Sequence, residues 1–140
     1  MAALSFLTFN SVVGQTRCDT IREGIIMYAE KMPKSSISNN QLEEILKSSI
    51  DLNEYTIEDE VVIYINFIVN CHGEHFDYKV LKPVDEKLES EVLSVLQYNV
   101  TWKAGKQHDK EVDVLQIMQI QIQNNEFRIL DEKGKRSKKR

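Results

Sequence analysis

Proline, glycine, cysteine and tryptophan are all scarce in this chain of 140 residues, which holds two, five, two and one of them. Each scarcity closes off a class. So few prolines and glycines exclude collagen-like and low-complexity architectures and leave no glycine-rich loop to cradle a phosphate. Two cysteines are too few for a disulfide-dense scaffold. No apolar run reaches the roughly 20 residues of a membrane-spanning helix, so the sequence is not expected to anchor itself across a bilayer. No Ser-His-Asp order and no paired-carboxylate site stands out either, so neither catalysis nor a small-molecule substrate or cofactor is expected.

What remains is the composition of a soluble globular protein, 41% hydrophobic and 29% charged, of a length that fits one domain. The net charge of -4 hides an asymmetry. Lys133, Lys135, Arg136, Lys138, Lys139 and Arg140 lie in the last ten residues, so residues 1–130 carry 12 basic and 20 acidic side chains, a balance of -8. An acidic body repels a phosphate backbone, so nucleic-acid binding is not expected. Residues 131–140 read as a basic, solvated, frayed end.

At the other terminus Ala2, Ala3, Leu4, Phe6, Leu7, Phe9, Val12 and Val13 form a short apolar run ending at Gly14-Gln15. Residues 1–14 resemble the end of an export signal, although no Lys or Arg follows Met1; the other reading makes residues 4–13 a buried strand or helix. The first places the protein in the periplasm, the second in the cytoplasm. Cys18 and Cys71 follow the same fork: one disulfide if the chain is exported, two buried thiols if it is not.

Residues 15–54 read as a helical N-terminal segment. Asp19 or Thr20 caps a first helix through Ile25, Ile26, Met27 and Tyr28, stopped by Pro33. Asn40 and Glu43 have the spacing of a capping box before Leu42, Ile45, Leu46 and Ile50 at helical period. Asp51 to Glu60 reads as an acidic connector.

From Val61 the pattern sharpens. Val61, Ile63, Ile65, Phe67 and Val69 alternate as one face of a strand. Asn70-Cys71-His72-Gly73 makes a turn, and Phe76, Tyr78 and Val80 return antiparallel. A helix opens near Asp85 and buries Leu88, Val92, Val95 and Leu96. Trp102 follows it, then a polar loop from Lys103 to Lys110, a long strand from Val112 to Gln123, an Asn124-Asn125 turn and a short strand through Phe127, Ile129 and Leu130. The fold class is α+β: a βαββ antiparallel sheet with a helix on one face, preceded by one or two helices.

The run Ile65-Asn66-Phe67-Ile68-Val69-Asn70, the glycine-containing turn, Tyr78-Lys79-Val80-Leu81 and the loop Trp102-Lys103-Ala104-Gly105-Lys106-Gln107 together resemble the C-terminal domain of the TonB energy-transducing family, over about residues 55–123 and more weakly over 30–54, within a domain read as 55–130. Met32-Pro33 is similar to the pair that precedes some versions of that domain. The resemblance implies a periplasmic binding module whose last long strand pairs with a short peptide of an outer-membrane transporter or another envelope protein, or with a second copy in a homodimer. It implies a docking edge at Val112, Val114, Gln116, Met118, Gln119, Ile120 and Gln121, and a motif loop of Trp102, Lys103, Gly105, Lys106 and Gln107. An exposed strand edge binds through main-chain groups without any chemistry. The chain departs from the family in having Ala104 in place of the usual proline and Asp109-Lys110 in place of a glycine, and in lacking the proline-rich spacer and spanning anchor of a transducer. The alternative is a small metal-binding protein or enzyme built on the Cys71, His72 and His75 turn, with Glu74 and His108 nearby, because thiol, imidazole and carboxylate are metal ligands and nucleophiles.

Overall fold

A computed structural model describes residues 25–57 and 59–131. The elements run β1 (Ile25–Ile26), β2 (Lys34–Ser35), α1 (Asn39–Ser49), a 3-10 turn (Leu52–Glu54), β3 (Glu60–Val69), β4 (His75–Val80), α2 (Glu86–Asn99), β5 (Trp102–Lys103), β6 (Gly105–Gln107), β7 (Lys110–Gln123) and β8 (Glu126–Leu130). The fold is α+β. The sheet follows the order β1-β7-β3-β4, with β6 and β8 also paired to β7. Only β1 runs parallel to its neighbour, so the sheet is mixed rather than wholly antiparallel.

The period-two pattern of β3 fixes which face is covered. Ile63, Ile65, Phe67 and Val69 are buried, and Ile120, Ile122, Phe127 and Ile129 join them from β7 and β8. Leu42 and Leu46 of α1 and Leu88, Val92, Val95 and Leu96 of α2 close the same core. Each such side chain contributes about 1.5–3 kcal/mol by leaving water, which is why this layer dominates the fold.

The helix starts follow local chemistry. Asp85 caps α2, its Oδ1 accepting the Leu88 N–H at 3.0 Å, where the sequence places it. For α1 the capping box is Ser38 with Gln41, not Asn40 with Glu43: Ser38 Oγ accepts the Gln41 N–H at 3.1 Å and Gln41 Oε1 accepts the Ser38 N–H at 2.8 Å. A serine two positions earlier competes well for a cap, so the asparagines enter the first turn. Glu43 serves the sheet instead, its Oε2 accepting the Ile129 N–H of β8 at 2.9 Å.

Two further expectations are corrected. The described part of the first expected helix, from Ile25 onwards, is an extended strap. β1 pairs with Asp113 and Val114, and Lys31, Lys34 and Ser35 register against Lys106, Lys103 and Trp102 in one antiparallel alignment. Main-chain partners distant in sequence overrode a short apolar run that carried no full helical period. The polar loop after Trp102 is likewise a hairpin. His108 and Asp109 at φ 54 and 64 turn β6 into β7, as Asn124 and Asn125 at φ 54 and 62 turn β7 into β8. Two-residue turns with both central φ positive match the twist of a hairpin, and Asn, Asp and His tolerate that region best after glycine.

Candidate docking edge

β7 is the strand on which the family resemblance would place docking, and its two sides are occupied differently. On one side β3 pairs with Val114 to Gln123 without interruption, and β6 takes up Lys110 to Val112 beyond the end of β3. On the other side β8 pairs with Gln119 to Gln123 and β1 with Asp113 and Val114. The expected open edge from Val112 to Gln121 is therefore corrected. Val114, Gln119, Ile120 and Gln121 are flanked by strands on both sides, and Val112 lies in the β6 hairpin. The reason is the Asn124-Asn125 turn, which folds β8 back onto the edge, and the strap, which becomes a strand.

What stays uncovered among the described residues is a window of four residues, Leu115 to Met118, between the end of β1 and the start of β8. The Tyr64 carbonyl accepts the Leu81 N–H at 2.8 Å. Even-numbered β3 residues thus turn their main-chain groups towards β4 and odd-numbered ones towards β7, because successive strand residues alternate sides. Ile65 and Phe67 face their registered partners Met118 and Gln116, so Leu115 and Ile117 turn the opposite way. Ile117 has no strand opposite it among the described residues.

The window is rimmed by apolar side chains. Met27, Tyr28, Met32 and Ile117 are 46%, 74%, 43% and 49% exposed. They line a cleft of about 500 Å³ together with Leu115, Gln116 and Leu130. Gln116 Oε1 is buried there without a hydrogen-bond partner among the described residues. Gln119 also borders the cleft, whereas Met118 packs partly buried against the core.

The motif loop clasps the strap. Trp102 and Lys103 pair with Ser35 and Lys34. Lys106 exchanges main-chain bonds of 3.0 and 2.8 Å with Lys31, and Gln107 Oε1 accepts the Glu30 N–H at 2.8 Å. A Cβ on Gly105 would stand 2.7 Å from the Lys31 carbonyl oxygen, so glycine is needed for this close approach. Trp102 also stacks obliquely on Phe67, with ring centroids 5.3 Å apart.

The Asn70 to His75 turn is organised around Asn70, whose Oδ1 accepts the His72 and Glu74 N–H groups, both at 2.9 Å, while its Nδ2 donates to Glu74 at 2.8 Å. His75 Nδ1 meets the Tyr78 hydroxyl at 2.6 Å. Burial holds His75 below its usual pKa and lifts the Tyr78 phenol well above its own. Cys71 is disulfide-bonded; Cys18, the sequence's other cysteine, lies outside the described residues. A sulfur in a disulfide offers no thiolate to a metal or a substrate. No three His, Cys, Asp or Glu side chains converge on a metal position among the described residues, and His108 lies against Glu30, its imidazole Nδ1 3.8 Å from the Glu30 carboxylate and its main-chain N–H bonded to it at 2.9 Å.

No helix among the described residues is long and apolar enough to cross a membrane. Residues 1–14, with their resemblance to an export signal, the helix cap expected at Asp19 or Thr20, and the basic end from 132 lie outside the described residues. No known protein family, curated protein or solved structure matches the chain.

Proposed function

We propose that this chain is a protein-binding module of the TonB C-terminal type, taking an extended segment of an envelope protein by strand pairing at Leu115 to Met118. The observation that carries this reading is the interruption of pairing on the outer side of β7, framed by Met27, Tyr28, Met32 and Ile117. Main-chain pairing supplies affinity, and the apolar rim supplies pockets for alternate side chains. A four-residue window spans about 13 Å of strand, which suits a short peptide rather than a whole edge. The disulfide at Cys71 is in keeping with an oxidising compartment such as the periplasm.

The test is selection of short extended peptides against the oxidised chain, with binders located by amide chemical shifts. Binders are expected to perturb Leu115 to Met118 and the strap. Ile117→Pro removes a donor from the open side of β7 and leaves the Gln116 and Met118 pairing with β3 in place; it is expected to weaken binding at least about tenfold, or about 1.4 kcal/mol. Binders that map to β4, or that ignore the proline, overturn the reading.

A further inference from the structure

We propose that Arg128 selects the partner of this window by taking a carboxylate of the bound segment just beyond its paired stretch. The inference rests on the docking reading above and names the chemistry of the segment that docks.

Arg128 is a half-buried cation. Its guanidinium joins no ion pair among the described residues, and its Nε is buried without a hydrogen-bond partner among them. The carboxylates near it along the sheet are committed elsewhere, Glu126 to Lys47 at 3.5 Å and Glu60 to the Gln121 Nε2 group. A charged donor held away from water without an acceptor is costly. The group is therefore poised for an acceptor that a ligand brings, and its planar fork of donors matches a carboxylate.

The topology puts this cation on the way out of the window. Phe127 and Ile129 of β8 and Ile120 and Ile122 of β7 enter the core, so by alternation Arg128, Leu130, Ile117, Gln119 and Gln121 share the other face of the sheet. Leu130 is registered with Gln119 and Arg128 with Gln121. A segment paired at Leu115 to Met118 runs into the end of β8 at Leu130, because β8 already occupies the line of that strand. On the core side α1 fills the space, with Leu42 and Leu46 in the core and Glu43 bonded to the Ile129 N–H. No described helix closes the opposite face, so the segment leaves there, over Leu130 and towards Arg128 about 7 Å further along β8. Asp131 lines the cleft itself, and like charge keeps the acidic residue of the segment out of the cleft and beyond Leu130. The body of the chain is acidic as a whole, so a single carboxylate is favoured over an acidic run.

Segments selected against the chain provide the test. Each is made with glutamate or aspartate just beyond the paired stretch at the Met118 end, and again with the matching amide, and both forms are measured against the wild type and Arg128→Gln. The amide form is expected to bind the wild type at least about tenfold more weakly, whereas Arg128→Gln binds the two forms equally. Arg128→Lys, which keeps the charge and loses the fork, is expected to restore only part of the difference. The Arg128 Nε–H resonance is expected to shift with the acid form and not with the amide. An equal loss in wild type and variant, or no preference for the acid form, overturns the proposal and leaves the docking reading standing. If no segment binds, the docking reading falls and acetate alone decides: a saturable shift of the Arg128 Nε–H signal keeps the carboxylate site, and its absence overturns that too.

Discussion

The two flanks of this sheet solve the same problem in different ways. β4 is the plain outer strand, with no strand beyond it among the described residues, and it is guarded along its own length. Asp77 sits at φ 61 where the β3–β4 register slips, and Asp77 and Lys79 are exposed. A bulge and charges on a short strand are the usual defences of an edge. The β7 flank is covered by other segments instead, and the cover has a gap. Where β4 is short and charged, Leu115 to Met118 carries no ionisable group of its own and is bordered by methionine, tyrosine and isoleucine, with Asn39 and Asp131 also lining the cleft. An edge defended by borrowed strands is only as closed as those strands are long, and β1 is two residues long.

The largest expected effect comes from removing the clasp. Gly105→Val places a side chain where a Cβ already stands 2.7 Å from the Lys31 carbonyl, and should cost about 3 kcal/mol as strap and hairpin are forced apart. Chemical denaturation measures it, and exposure of the β7 flank accompanies it. Glu43→Ala comes next. It strips the acceptor from the Ile129 N–H on the far side of β8, and about 1.5 kcal/mol is expected from losing a hydrogen bond to a charged group. If stability is unchanged, β8 is not secured by α1.

What the sequence made legible divides along the same line. β3, β4, α2, β7 and β8 announce themselves because their patterns are local: the alternation from Val61 to Val69, the Asp85 cap, the Asn124-Asn125 turn. The strap does not, because Ile25 and Ile26 become strand only through Asp113 and Val114, far along the chain. β7 was legible as a strand and the state of its edge was not. Whether a strand is an edge depends on what else pairs with it, and neither the reach of β8 nor the turn at His108-Asp109 carries a hydrophobic period. Gly105 and Gln107 could have been read as a fixed hairpin arm had His108-Asp109 been recognised as a turn pair tolerant of positive φ.

Smaller effects sharpen the contrast. Ile117→Lys transplants the defence of β4 into the window. Because Ile117 is half exposed, stability should move by no more than about 0.5 kcal/mol, while peptide capture should be lost; a stability loss well beyond that would show the residue to be core. The least effect concerns His75 on the guarded flank. Burial lowers its pKa below the usual 6.5, so the folded chain resists protonation more than the unfolded one. Stability is therefore full above pH 6.5, falls as pH drops from there towards the folded pKa, and is flat with respect to this group below it. His75→Gln should flatten that slope in thermal melts taken between pH 7 and about pH 5; an unaltered slope would assign it to other groups.

The paired two-residue turns at His108-Asp109 and Asn124-Asn125 also bear on how the chain acquires its shape. They make β6, β7 and β8 a meander closed entirely by neighbours in sequence, and hairpins of this kind form in about 1–10 μs. The β3–β7 ladder, which joins Val69 to Val114 and Glu60 to Gln123, must instead close a long loop, and such contacts set the pace of folding. β7 thus reaches β3 with its alternation already registered at both ends, so that the slow encounter searches for one alignment rather than many.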